Sequence, residues 1–258
     1  MKRIRLSLLG LVTSILICSS NLLAQQTLKY TLVDLGLMGG TGTVANGVNQ
    51  HQIIGNVTYA DGHQDCFLVT LFQSTVKWSS TLVGHSRPPN YCTANAINQN
   101  GDVAGTMLVQ TGLNSYAYHG FRRTASGSFI DLPPLNGGNS EAYGLNDSGI
   151  AVGQASASAV RWDSAGNATD LGKLPAGTYA VAAGINSYGT IVGWGDGDWL
   201  NGTPGIGSFT WTNGSLVALP AFSTQPGPNN TYPPLEYAYR IGSGPNPLIA
   251  GPCIQTQD

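Results

Sequence analysis

A short pattern that returns along the chain limits its fold more than any other feature. Val44-Ala45-Asn46-Gly47-Val48-Asn49 leads to Ile53-Ile54-Gly55, and Thr93-Ala94-Asn95-Ala96-Ile97-Asn98 leads to Val103-Ala104-Gly105. Glu141-Ala142-Tyr143-Gly144-Leu145-Asn146 leads to Ala151-Val152-Gly153, and Val181-Ala182-Ala183-Gly184-Ile185-Asn186 to Ile191-Val192-Gly193. A drifted fifth copy runs from Tyr237-Ala238-Tyr239-Arg240-Ile241-Gly242 to Leu248-Ile249-Ala250-Gly251. The asparagines at 49, 98, 146 and 186 are 49, 48 and 40 residues apart. Repeats of ~40–50 residues suit a four-stranded propeller blade.

Each part of the pattern has a local physical reading. In Asn146-Asp147-Ser148-Gly149 the Asn side chain can close an Asx-turn and the Gly supplies a positive φ, which together make a hairpin turn. Asn98 to Gly101 and Asn186 to Gly189 repeat it, whereas Asn49-Gln50-His51-Gln52 is shorter and lacks the Gly, so its hairpin should be the least regular. The strand before each turn places a small Ala and a Val, Ile or Leu three residues apart, hence on opposite faces. Both faces are then apolar, as in a sheet sandwiched between neighbours.

A third, aromatic strand follows each hairpin at Cys66-Phe67, His119-Gly120-Phe121, Val160-Arg161-Trp162 and Phe209-Thr210-Trp211. A fourth ends at Asp131-Leu132-Pro133, Asp170-Leu171-Gly172 and Ala218-Leu219-Pro220. Tyr30 to Gly36, ending Asp34-Leu35-Gly36, matches that fourth strand but precedes the first repeat, and the last repeat stops after its second strand. The expectation is an all-β chain forming a small β-propeller of about five blades. Either its N-terminal strand completes the C-terminal blade near Leu248 to Gly251, or the array is open or truncated there.

The first residues have another purpose. Lys2, Arg3 and Arg5 precede the apolar run Leu6 to Ile17, and Leu22-Leu23-Ala24 follows a polar stretch. That order is a secretory signal peptide, too short in its apolar part for a membrane span of roughly 20 residues. Cleavage after Ala24 leaves residues 25–258 as the repeat domain, with cores near 44–55, 93–105, 141–153, 181–193 and 237–251. Lipidation of Cys18 is the rival reading, opposed by the bulky Ile17 before it. The expected location is secreted, extracellular or periplasmic, with no transmembrane span in the mature chain.

Composition excludes some functions. The mature chain keeps eight basic residues against 13 acidic ones, so it lacks the concentrated positive surface that nucleic acid requires. Only 9% of residues are charged and 35 are Gly, which suits tight turns and disfavours long amphipathic helices. Cys66, Cys92 and Cys253 remain after processing, and proximity makes Cys66–Cys92 the expected disulfide.

The order Asp-Leu-Gly, Gly-Gly, Ala-x-x-Ile-Asn-x-x-Gly-x-Val-Val-Gly and an aromatic strand resembles the HAF-repeat family of extracellular bacterial proteins. The closest stretches are Ser140 to Gly153 and Val181 to Gly193, and only His119-Gly120-Phe121 approaches the His-Ala-Phe of the family's name. The resemblance implies export and a repeated β architecture, and it carries over no catalytic or binding residue.

Candidate chemistry is sparse. Gly40-Thr41-Gly42 is followed by a strand rather than the helix that a dinucleotide loop needs. His51, His63, His85 and His119 show no metal spacing, although Asp61 and Asp65 flank His63. Asp34, Asp131 and Asp170 share a repeat position and read as side-chain-to-backbone ties. Trp194-Gly195-Asp196-Gly197-Asp198-Trp199-Leu200-Asn201-Gly202 departs from the repeat and reads as a long turn. Asp196, Asp198 and Asn201 offer oxygens for Ca²⁺, and Trp194 and Trp199 offer a sugar-stacking platform. The expected function is therefore a non-enzymatic binding module for an extracellular glycan or protein, with a carbohydrate-active enzyme as the alternative.

Overall fold

A computed structural model of the chain describes residues 34–70, 91–200, 203–220, 235–236, 238–243, 247–251 and 253–254. The chain divides into two units, residues 1–34 and 35–258, and the architecture below belongs to the second. The expected signal peptide and most of the Tyr30 to Gly36 strand lie outside the described residues.

Every regular element described is a β-strand. The first repeat forms the antiparallel sheet β1 (Gly42–Val48), β2 (Gln52–Thr58) and β3 (Gln64–Thr70). The second forms β4 (Cys92–Ile97), β5 (Val103–Gly112), β6 (Ser115–Arg123) and β7 (Phe129–Leu132). The third runs β8 (Ser140–Leu145), β9 (Ala151–Ala155), β10 (Ser158–Trp162) and β11 (Ala168–Gly172). The fourth runs β12 (Ala180–Ile185), β13 (Ile191–Leu200), β14 (Thr203–Thr212) and β15 (Ser215–Ala218). In all four, chain neighbours are sheet neighbours, which is what short Gly-rich hairpins produce. Of the last repeat, β16 (Leu235–Glu236) pairs with β19 (Cys253–Ile254), and β17 (Arg240–Ile241) with β18 (Ile249–Ala250).

A β-bulge explains the most regular letter of the repeat. The register slips between Ala45 and Gly47, Ala94 and Ala96, Ala142 and Gly144, and Ala182 and Gly184. One extra residue therefore sits in each first strand and bends it across the second. A Cβ on Gly55, Gly105, Gly153 or Gly193 would lie 1.8–2.0 Å from the carbonyl oxygen of Val44, Thr93, Glu141 or Val181. No side chain fits there. Phe67, Phe121 and Phe209 pair with three of these glycines and lay their rings over them, and all three are fully buried.

The sheets stack in chain order. Ala94 packs with Ile54 and Leu68 of the sheet before it, Ala142 with Ala104 and Leu132, and Ala182 with Val152 and Leu171. The three alanines are fully buried, yet the equivalent Ala45 is exposed and its neighbours Val44 and Val48 are 54% and 67% exposed. Among the described residues, no sheet covers that face of β1. Leu35 and Met38 cover only the Val57, Phe67 and Val69 part of the same face.

The turn asparagines tie repeat to repeat. Asn146 accepts the Ser148 and Ile150 amides on Oδ1 at 3.1 and 3.0 Å, closing its own turn. Its Nδ2 donates 3.2 Å to the Asn186 carbonyl in the next repeat. Asn49 donates likewise to Asn98 O, Asn98 to Asn146 O, and Asn186 to Gly242 O, at 3.0, 3.0 and 3.4 Å. Asx-turn geometry explains why an Asn suits the site; the inter-repeat donor explains why an Asp would not serve as well. The Asn49 turn is shorter, as expected, with its amide bonded to Gln52 O where Asn98 bonds Asp102 O.

Cys66 and Cys92 form a disulfide joining β3 to β4, with Cα atoms 5.2 Å apart. It closes a 26-residue separation, for which loop-closure entropy gives about 3.5 kcal/mol. Cys66→Ala with Cys92→Ala should therefore lower the stability of the oxidised protein by about that amount, read as a lower urea midpoint. An unchanged midpoint would mean that the first two sheets are held in register without it.

Candidate functional site

The bulge does more than bend a strand; it turns one side chain per repeat toward a common space. Asn46, Asn95, Tyr143 and Ala183 occupy the bulge position of four copies and Tyr239 the equivalent position of the fifth, and all line one cavity of about 520 Å³. Gln154, Val181, Trp194 and Arg240 complete its lining. A second space of about 280 Å³ is lined by the next two residues of every copy, from Gly47-Val48 to Arg240-Ile241. The first volume is within the ~300–1,000 Å³ range of small-molecule sites.

The polar groups are held in place. Asn46 donates both amide hydrogens, to Asn56 Oδ1 at 2.6 Å and to Ala94 O at 2.9 Å. Asn95 donates to Ala142 O at 2.8 Å. Their amide planes are thereby fixed by the adjoining repeat, and their Oδ1 atoms remain acceptors. The Tyr143 hydroxyl donates to Glu141 Oε2. Burial, then the Glu141 carboxylate and Tyr91, push the Tyr143 hydroxyl well above the usual tyrosine range, so it stays a neutral donor. Trp194 meets Tyr179 edge-to-face, with ring centres 5.6 Å apart.

Of the described members of the expected stacking and metal set, Trp194 is the one that lines this cavity. The segment is not a long turn: Ile191–Leu200 is strand β13, paired through Asp198 opposite Pro204 with β14. Extending both strands keeps backbone groups paired, so the Gly-rich stretch makes a longer hairpin rather than a loop. Asp196 accepts the Thr178 and Tyr179 amides on Oδ1, each at 2.7 Å, and the Thr178 hydroxyl on Oδ2 at 2.5 Å. Desolvation works to raise its pKa, but these hydrogen bonds outweigh it and hold the carboxyl below the usual aspartate range. That carboxylate ties β13 to the loop before β12. The Asp198 amide donates to Pro175 O at 2.6 Å on the same loop. Asn201 and the Trp199 side chain lie outside the described residues.

Other expected polar residues are accounted for separately. Asp170 accepts the Gly172 amide at 2.9 Å, a side-chain-to-backbone tie, whereas Asp131 instead meets His119 Nδ1 at 3.0 Å. His63 Nδ1 contacts Asp61 and stacks on Tyr59 with ring centres 4.1 Å apart. Among the described residues, no group of three His, Cys, Asp or Glu side chains is arranged to hold a metal ion.

Sequence reasoning missed Asn46, Asn95, Tyr143, Gln154 and Arg240. A partial signal existed: the residue after the constant Ala changes between amide, phenol and methyl, although the residue before it varies as well. A position that varies chemically inside a constant frame is what a shared site lined by repeats would show. No family model, curated protein or solved structure matches the chain, so the resemblance to HAF repeats rests on the residues alone.

Proposed function

We propose that this chain is an exported, non-enzymatic binding module, a five-bladed propeller that takes an extracellular glycan in the cavity shared by its repeats. The observation that carries the reading is convergence: side chains from all five copies reach one space, with amide acceptors beside aromatic rings. Fixed amides match sugar hydroxyls, and ring faces match the apolar face of a pyranose. The lining favours holding a ligand over cleaving one, since glycoside hydrolysis ordinarily uses two carboxylates about 5–9.5 Å apart.

The propeller itself is supported by the first strands of all five copies bordering the same two spaces. It is supported further by Leu35, which packs on the first sheet as Leu132 and Leu171 pack against the repeats after them. A crystal structure in which the five first strands did not surround one axis would overturn it. Export is supported by the signal-like N-terminus and by the Cys66–Cys92 disulfide, which persists in oxidising compartments. The HAF-repeat resemblance points the same way.

A glycan panel screened with the purified protein tests the binding reading. Trp194→Ala should weaken the best ligand at least tenfold with little change in melting temperature. Tyr188→Ala, at a turn and 67% exposed, should bind like the wild type. A Trp194 variant of undiminished affinity, or a panel without a ligand, would overturn the reading.

A further inference from the structure

Arg240 breaks the repeat where the other copies have the least room for a side chain. The equivalent residues are Gly47, Ala96, Gly144 and Gly184. They are small because adjacent first strands crowd them: a Cβ on Gly144 would lie 3.3 Å from Ala183 O, and one on Gly184 2.9 Å from Tyr239 O. At the equivalent place the fifth copy carries a guanidinium instead. Arg240 is exposed and borders both shared spaces. Its one described hydrogen bond is weak and local, Nη1 to Tyr239 O at 3.3 Å. Among the described residues, no carboxylate pairs with it. Arg122, by contrast, is occupied by Asp102 and Ser164 O.

We infer that the cavity selects an acidic saccharide, one whose sugar carries a carboxylate, and that Arg240 is the residue that recognises it. The inference rests on the binding reading above and narrows its ligand class. A guanidinium presents parallel N–H donors that match a carboxylate's two oxygens, and this pairing is directional as well as charged. Asn46 and Asn95 cannot serve a carboxylate with their Oδ1 atoms, since both are acceptors; they suit the hydroxyls of the same sugar. The arrangement therefore sorts the ligand's groups: hydroxyls to the fixed amides, the ring face to Trp194, the carboxylate to Arg240. The protein is net acidic, so a general field would repel such a ligand and the preference must be local.

Titration calorimetry at low ionic strength tests this with short oligomers of galacturonate, mannuronate and glucuronate, each as free acid and as methyl ester. Esterification removes the charge and leaves the hydroxyls and ring. At least one free acid should bind tenfold or more tightly than its ester, with the ratio shrinking as salt is raised. Arg240→Gln should reduce that ratio to within twofold of one, while Arg240→Lys should restore part of it. Because Arg240 is exposed, all variants should melt with the wild type. Equal affinity for acid and ester, or a preference that survives Arg240→Gln, would overturn the inference. If acids and esters bind equally and Trp194→Ala weakens both, or if only neutral glycans bind, the glycan cavity stands and the acid selectivity falls. If nothing binds, both fall.

Discussion

Gly153→Ala should lower the melting temperature by roughly 10 °C, which corresponds to about 4 kcal/mol for a domain of this size. The added Cβ would sit 1.8 Å from the Glu141 carbonyl oxygen and 3.0 Å from Ala142 Cα. These are backbone atoms at the bulge of the partner strand, so no rotamer change relieves the clash. Relief requires β8 to lift from β9, which opens a ladder, displaces the buried Ala142 from its contact with Leu132, and moves Tyr143 in the cavity. Overpacking a well-packed strand pair ordinarily costs ~1–3 kcal/mol, and a rigid obstacle places this one at or above that range. Gly42→Ala is the matched control, since a Cβ there meets nothing within 4 Å. It should be nearly neutral. A Gly153→Ala protein melting within 2 °C of the wild type would show that the bulge is not what reserves this position for glycine.

Arg122→Ala should cost a further large amount, about 4 kcal/mol, by a different mechanism. Arg122 and Asp102 are 9% and 7% exposed. Nε and Nη2 of the arginine both donate to Asp102 Oδ2, at 3.2 and 3.0 Å, while Nη1 donates to Ser164 O at 2.8 Å. The pair thus links the second repeat to the loop of the third. Truncation leaves the Asp102 carboxylate desolvated, with the Ala125 amide as its remaining described partner beyond its own turn. The penalty comes from the stranded charge rather than from the strength of the pair, and that distinction is measurable. Arg122→Met with Asp102→Asn removes both charges and should be less damaging than Arg122→Ala alone. Urea unfolding of the two variants decides it: a double variant as unstable as Arg122→Ala would refute the stranded-charge account.

Much of this fold was legible in the residues because its determinants are local. The Asn and Gly of Asn146 to Gly149 specify a hairpin through bonds spanning four residues, and Gly149 takes the expected positive φ of 73°. The apolar character of both strand faces announced stacking between sheets, and Ala142 and Ala182 are buried accordingly. The conserved-looking Gly at the end of each second strand was visible as part of the motif, but its reason was not. It depends on a carbonyl brought over it by a bulge in another strand.

The candidate site was legible only in part. Trp194 was singled out beside Trp199 and the two aspartates as one linear cluster, because sequence reasoning groups what is adjacent along the chain. In the structure Ile191–Leu200 is a strand, which draws the segment out along its length. Trp194 reaches the shared cavity, while Asp196 turns to the Thr178 and Tyr179 amides. The groups beside Trp194 come instead from Asn46, Asn95 and Tyr143, up to 148 positions away.

By itself, the sequence determined the all-β class, the number and spacing of the repeats, the turns, and the cysteines that pair. Each follows from short-range chemistry: Asx-turns, positive φ at glycine, alternation along a strand, and loop closure over 26 residues. Only the tertiary structure decided which side chains share a cavity and which carboxylates are already engaged. A bulge residue's direction is set by the register of two strands, and its neighbours by the stacking of sheets 40–49 residues apart. Neither quantity is written in any single window of the chain, because both arise where separate repeats come together in space.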